Sequence, residues 1–347
     1  MAKRYISVDP GKFATKVVEY LPDKKGIKEF SIRTKLSPGD FRDDAIEANT
    51  VIIEHEGVVY KVGNGARGDG AVLDTNKMTD VHKICVLTAI ATLASAKEVD
   101  DVYIAVGLPA KDWANVSKRM DYKDFMFPKG EISISIKKNS TSPVVEKKFK
   151  IAKGFAYPES IGPLFMDEML DYVSPLSIIG VIDIGNLNLN ATLWQGTELI
   201  EDKSTTAELG GSILIQELSQ EISTNITACD ELIVANIIKN NPNDRHLPEG
   251  MNLTDEQINE SRALIKRVMH EHAEKVKRCC RARNWSLDVT RIVAIGGTSK
   301  DIAEELKEVF GNITIISNPT FCNAYGYLRL MCATLPEIGE VIPLAKV

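Results

Sequence analysis

The chain opens on a short apolar run, Tyr5-Ile-Ser-Val8, then a turn cluster, Asp9-Pro-Gly-Lys-Phe-Ala14, then an alternating stretch rich in β-branched residues, Thr15 to Leu21. This pattern predicts strand, turn, strand. Thr50 to Val62 predicts a hairpin with Glu56-Gly57 at its tip, and Val81 to Ala96, apolar nearly all round, predicts a buried helix. Asp101 to Val106 reads as a strand running into Gly107-Leu-Pro, and Glu131 to Lys138 with Val144 to Ile151 as a strand pair. A helix is expected after Pro158, from Glu159 to Val173. Ile178 to Ile182 then predicts a strand, followed by the turn Asp183-Ile-Gly-Asn-Leu-Asn188 and strands over Leu189–Trp194 and Glu198–Lys203. A helix starts near Gly211. Leu264, Val268, Met269, Val276 and Cys280 recur at helical spacing and predict a long helix from about Thr254 to Arg283. The remainder reads as a strand over Arg291–Ile295, the turn Gly296-Gly-Thr-Ser299, a helix to Phe310, a short strand, and a last helix from about Pro319.

Residues 5–21 and 178–194 follow the same plan of strand, Asp-x-Gly turn, strand, and the two turns lie 174 residues apart, half the chain. Internal similarity on this scale predicts two α/β halves, each opening with a hairpin that points an acidic turn at a common cleft. The alternative is two unrelated hairpins, because Asp-x-Gly turns are common.

The turn residues carry phosphate chemistry. Gly11 has no Cβ, so backbone N–H groups can close on an anion, and Lys16 on the outgoing strand can set a point charge on a phosphate. Asp9 is suited to holding a hydrated Mg²⁺. Asp183, Gly185, Asn186 and Asn188 offer similar parts without a lysine; a plain Gly/Asn hairpin turn is the other reading. Gly296-Gly-Thr298 follows an apolar strand, where a glycine pair lets a flat base lie against backbone, or Thr298-Ser299 simply caps a helix. Glu159 stands at the predicted start of a helix. There it suits the positive end of the macrodipole, or it orients water.

Asp9-x-Gly11-x-x-x-x-Lys16, Pro158-Glu159-Ser160, Asp183-x-Gly185, Gly296-Gly297-Thr298 and Asn323-Ala-Tyr-Gly326 occur in the order of the actin-like ATPase superfamily. The chain resembles that superfamily's bacterial plasmid-segregation members. The resemblance implies an actin-like α/β fold of two duplicated ribonuclease-H-like domains flanking a nucleotide cleft. The first would be residues 1–158 with a C-terminal helix from 320–347 and a small insert near 30–80. The second would be 159–319 with an insert near 212–288. It further implies that Asp9 and Asp183 hold Mg²⁺ largely through water, that Gly11, Lys12, Phe13, Lys16, Gly185, Asn186 and Asn188 line the phosphates, that Glu159 orients the attacking water, and that Gly296, Gly297 and Thr298 flank the base of ATP or GTP. The sequence departs from the pattern at Lys12 and Phe13, where small or hydroxyl residues are usual, at Asn186-Leu187-Asn188 in place of Gly-Thr-Thr, and at Asn190 in place of an acidic residue. On this resemblance the chain is a nucleotide-driven filament that moves plasmid DNA through a separate DNA-binding centromere adaptor. A sugar or acid kinase of the same superfamily is the competing function; it needs an Asp base facing a substrate hydroxyl, which the sequence does not offer beside Glu159. A chaperone ATPase should carry a peptide-binding module, and a cell-shape actin an amphipathic terminal helix.

Composition changes this picture little. The 347 residues are 44% hydrophobic and 26% charged, ordinary for a globular chain. Lys plus Arg is 42 and Asp plus Glu 48, a net charge of −6, which disfavours direct nucleic-acid binding and fits an indirect route to DNA. Six cysteines without a C-x-x-C pair read as reduced thiols of a cytoplasmic protein. The N-terminus turns acidic at Asp9 before an apolar segment forms, so no signal peptide is expected, and Ile84 to Ala96 is too short to span a bilayer, which needs about 20 residues. His270-Glu-His272 lacks the i,i+4 spacing of a zinc helix and sits on a charged stretch. The basic run Arg262 to Arg283 reads as a solvated face or a filament contact, and the apolar tail Ile338 to Val347 as a segment that docks on this subunit or a neighbour.

Overall fold

Tyr5 to Pro10 are buried without interruption, so the opening strand has no solvent face. In the computed structural model, which describes residues 2–43, 46–68, 76–288, 290–336 and 338, it is followed by thirteen further strands and nine α-helices among the described residues. They run in the order β1 (Lys3–Pro10), β2 (Ala14–Leu21), β3 (Gly26–Arg33), β4 (Leu36–Pro38), β5 (Thr50–His55), β6 (Val58–Gly63), α1 (Asp80–Leu93), β7 (Asp100–Leu108), α2 (Ala110–Ala114), α3 (Val116–Met126), β8 (Glu131–Lys137), β9 (Val145–Pro158), β10 (Ile178–Ile184), β11 (Leu189–Gln195), β12 (Glu198–Ala207), α4 (Gly211–Asn225), α5 (Glu231–Ile237), α6 (Asp255–Arg281), β13 (Arg291–Ile295), α7 (Gly297–Asp301), α8 (Ala303–Phe310), β14 (Ile313–Ile315) and α9 (Cys322–Ala333).

The chain divides into two compact units. One runs to Leu170 and takes back the stretch from Phe321 onward; the other is Asp171–Thr320. The first division thus lies further along the chain than Pro158/Glu159. In the first unit β1 pairs antiparallel with β2, with Asp9 opposite Lys16, and parallel with β7, which is itself parallel to β9. The full order is β3-β2-β1-β7-β9-β8-β5-β6-β4. The hairpin of β5 and β6 extends this sheet through β5 against β8, and Glu56 (φ 52) and Gly57 (φ 78) supply the left-handed pair its two-residue turn needs. In the second unit the order is β12-β11-β10-β13-β14, antiparallel on the β11 and β12 side and parallel on the β13 and β14 side. The two sheets therefore share the plan of a three-stranded meander whose first strand adds parallel neighbours.

Each sheet has its own core. The first is built on Ile6, Val8, Ile104 and Phe149 with α1, whose His82, Ile84 to Ala91 and Leu93 are all buried. Ser7 Oγ on β1 donates to Ala324 O at 2.6 Å, fixing α9 to the same unit. The second is built on Ile182, Leu218, Met269 and Ile292. Here α6 is started by a capping box, in which Gln257 N donates to Thr254 Oγ1 (3.2 Å) and Thr254 N to Gln257 Oε1 (3.0 Å). Val268, Met269, Val276 and Cys280 face the core, as the spacing predicts. His272 lies on that buried face, not on the charged one, and among the described residues no group of His, Cys, Asp and Glu is arranged to hold a metal.

The helix expected over Glu159–Val173 does not form. Ser160 has φ 66, and two 3₁₀ segments follow, Gly162–Phe165 and Asp167–Tyr172. The reason lies in α9. Its Arg329 donates to Phe165 O and pairs with Asp167 (2.7 Å), so a side chain takes over a carbonyl that a helix would use. Gly162 and Gly326 also approach so closely that a Cβ on Gly326 would meet Gly162 Cα at 2.3 Å. Likewise the helix expected up to Phe310 is broken at Ile302 into α7 and α8. The tail from Ile338 to Val347 lies, beyond Ile338, outside the described residues. No helix of the described residues is long and apolar enough to cross a membrane.

Candidate functional site

In the first unit the site grows from the end of β1. Asp9 and Lys16 are paired across the hairpin, so strand register alone brings Lys16 Nζ to 3.2 Å from Asp9 Oδ2. The turn is tied by Gly11 N to Asp9 O (2.9 Å) and by Thr34 Oγ1 to Gly11 O (2.6 Å), with Thr34 also 3.0 Å from Thr15 Oγ1. A Cβ on Gly11 would stand 2.7 Å from Ala14 O, so the turn closes only with glycine there. Lys12 is half-buried. Phe13 is swung outward, its ring covered by the Arg33 guanidinium at 3.1 Å.

Glu159 arrives at the same place from the end of β9. Its N–H donates to Leu108 O (2.8 Å), and the next N–H, of Ser160, donates to Asn323 Oδ1 (3.2 Å). Between the two carboxylates sits Lys77, 5% exposed. Its ammonium pairs with Glu159 Oε1 and lies 4.0 Å from Asp9 Oδ1. Burial alone would raise the Asp9 carboxyl, but Lys16 and Lys77 together, with His82 adding to them, hold it below the usual carboxylate range. Tyr122 donates its hydroxyl to Gly107 O (2.8 Å), and burial, with the charges of Glu159 and Asp9, pushes its phenol well up and keeps it protonated.

In the second unit Asp183 is the next-to-last residue of β10 and stands beside Ile295 of β13. Gly296, at φ 93, passes under that strand end. A Cβ there would meet Ile184 O at 2.3 Å and Asp183 Oδ1 at 2.7 Å. Gly297 has nothing within 4 Å of its would-be Cβ, so the space over this turn is open. The turn after Asp183 is laced to the start of α4: Gly211 N donates to Gly185 O (3.0 Å), Ser212 N to Asn186 O (2.7 Å) and Gly210 N to Leu187 O (3.2 Å), while Gly185 N donates to Asn188 O (2.9 Å). Thr298 Oγ1 donates to Gly185 O (2.9 Å), so Thr298 bolts the two turns together. Asn190 accepts from Thr206 Oγ1 (2.8 Å) on β12.

The structure thus gathers Asp9, Gly11, Lys16 and Glu159 in one unit, and Asp183, Gly185, Asn186, Gly296 and Thr298 in the other. Sequence reasoning missed Lys77, Thr34 and the Gly210-Gly211-Ser212 segment. Register from Lys16 through β3 points to Thr34; nothing local points to Lys77. The carboxylates are hard oxygen donors without a preformed cage, and Asp9 is already flanked by two ammonium groups. Such a donor set fits a cation that keeps its water and takes most of its ligands from phosphate, as Mg²⁺ does.

The family model for the N-terminal domain of actin-like proteins matches residues 7–162, and that for plasmid segregation protein ParM, C-terminal, matches residues 173–327. No curated protein sequence matches the chain. Among solved structures, the Alp12 filament is 20% identical with a TM-score of 0.70, covering 96% of this chain and 99% of its own. A 15-stranded ParM filament from Clostridium botulinum is 18% identical with a TM-score of 0.68, covering 95% and 99%. The archaeal actin homologue Ta0583 in complex with ADP is 16% identical with a TM-score of 0.69, covering 94% and 98%. At these identities the likeness shows a shared fold.

Proposed function

The chain belongs to the actin-like proteins of the plasmid-segregation, ParM type, and on that premise we propose that it is a cytoplasmic Mg²⁺-dependent nucleoside triphosphatase whose assembly into filaments moves plasmid DNA. The observation that carries this reading is the convergence of Asp9, Lys16 and Glu159 in one unit, with the Asp183 turn built on the same strand plan in the other. ATP or GTP is the substrate. Backbone at Gly11, Lys12 and Phe13, and at Gly185, Asn186 and Asn188, takes the phosphates, while Lys16 offers its charge. The open space over Gly297 takes the base, flanked by Gly296 and Thr298. Asp9 and Asp183 hold the hydrated Mg²⁺, which when bound offsets the negative charge of the phosphates.

Glu159 accepts a hydrogen bond from a water and aims its oxygen at the γ-phosphorus. The new P–O bond forms as the bond to the β–γ bridging oxygen breaks, work that calls for positioning and charge compensation. Head-to-tail contacts that do not close generate the filament, and hydrolysis after assembly weakens them. That structures of Alp12 and of a C. botulinum ParM are filaments supports self-association here. The net charge of −6 supports contact with DNA through an adaptor.

Light scattering on addition of Mg·ATP or Mg·GTP, with a non-hydrolysable analogue in parallel, tests this reading. A signal that rises and then falls only with hydrolysable nucleotide is expected. A flat trace with sugar-stimulated ADP release contradicts it and makes the chain a small-molecule kinase.

A further inference from the structure

Lys77 is buried, yet it belongs to none of the turns that the nucleotide reading uses. A buried ammonium is costly unless paired, and this one is paired on both sides, with Glu159 and with Asp9 at 4.0 Å. Its backbone is fixed locally: Asn76 Oδ1 accepts from Met78 N (2.9 Å), and Thr79 caps α1, a buried helix. The ammonium is therefore carried by a segment tied to the start of α1. Glu159 is held by its own N–H on Leu108 O and by Lys77 on its carboxylate, and the next N–H, of Ser160, is tied to Asn323 Oδ1. A compact point charge with three donors can keep one carboxylate in place while turning toward an incoming anion, which a flat guanidinium does less well.

We infer that Lys77 is a positioning residue for hydrolysis, holding the Glu159 carboxylate in the orientation that aims the attacking water and keeping it apart from Asp9. The inference rests on the reading of Glu159 given above. It predicts a rate effect that passes through Glu159, not a general loss of nucleotide binding.

The test compares the full chain with Lys77→Met, Lys77→Arg, Glu159→Gln and the Lys77→Met/Glu159→Gln pair. Turnover and KM are read from phosphate release with Mg·ATP, and melting from the nucleotide-free protein. Lys77→Met should lower turnover at least tenfold with KM changed less than about twofold. Lys77→Arg should recover part of that loss, and Lys77→Met placed on Glu159→Gln should lower turnover no further. Without nucleotide, Lys77→Met should melt lower than wild type, and adding Glu159→Gln should return part of the loss by removing the carboxylate left unpaired. Wild-type turnover in Lys77→Met, an equal rise in KM, or losses that multiply in the pair would overturn the role of Lys77 while leaving Glu159 standing. Wild-type turnover in Glu159→Gln removes Glu159 and the inference together. If Lys77→Met does not fold, Lys77→Gln, which keeps an N–H donor without charge, carries the same comparison with the same outcomes.

Discussion

Asp9 and Asp183 stand near the ends of equivalent strands, each antiparallel to the strand that follows and parallel to a later one, yet the turns beyond them are held differently. Asp9 stands among Lys16, Lys77 and Glu159, two cations and a second carboxylate. The turn beyond Asp183, Gly185-Asn-Leu-Asn188, has its carbonyls taken by Gly210, Gly211, Ser212 and Thr298. One turn concentrates charge that can act on a reacting bond. The other is braced through its backbone carbonyls. Duplication of a strand plan fixes where two loops go, and the groups arriving from elsewhere in each unit give each loop its own surroundings.

The largest effect is expected from removing Asp183 at the braced turn. Asp183→Ala should lose Mg²⁺-dependent turnover by about two orders of magnitude while the chain stays folded, a loss in the range of removing one preorganised electrostatic contact. Unchanged turnover would mean that the second turn holds no part of the metal-bound nucleotide. Next comes the bracing itself. Gly296→Ala forces a Cβ onto φ 93 and into Ile184 O at 2.3 Å, and should cost about 3 kcal/mol in urea unfolding. In Gly185→Ala the new Cβ meets only Asn188 O, at 3.4 Å, so its cost should stay within about 1 kcal/mol. Equal costs would show that Gly296 is not the tight point.

The charged turn is sharpened by pH. The folded Asp9 carboxyl lies below its ordinary value, so the folded chain binds fewer protons there than the unfolded chain. The pairing stabilises the fold above the ordinary carboxylate range and loses that contribution as pH falls through the range toward the folded value. Lys16→Met should therefore cost about 2 kcal/mol near neutral pH and progressively less in acid, read by urea unfolding across pH. A cost independent of pH would mean that Lys16 acts through packing. The smallest effect belongs to Thr34→Val, which removes the hydroxyl donated to Gly11 O and should cost about 1 kcal/mol.

The repeated strand plan was legible because alternating β-branched residues around Asp-x-Gly leave few other local structures. Asp9, Lys16 and Gly11 could be placed together for the same reason, since a hairpin of that length sets its own register. Glu159 was legible as a residue but not in its setting. Pro158-Glu-Ser reads locally as a helix start, whereas Ser160 adopts φ 66 with its N–H on Asn323 Oδ1 of α9, and Arg329 of α9 takes the Phe165 carbonyl further on. Lys77 was illegible, because its neighbours Asn76 and Met78 carry no signal and its partner Glu159 lies 82 residues away. The bracing of the Asp183 turn by Gly210 to Ser212 is likewise a contact between backbones, which side-chain patterns do not record.

On the proposed function, the charged turn of the first unit drives hydrolysis while assembly depends only on nucleotide being held. Simultaneous recording of light scattering and phosphate release from Glu159→Gln after Mg·ATP addition tests it most directly. Scattering should rise as in the wild type and then persist, with phosphate release slowed at least tenfold. Phosphate released at the wild-type rate, with scattering that falls on the wild-type schedule, would contradict the account.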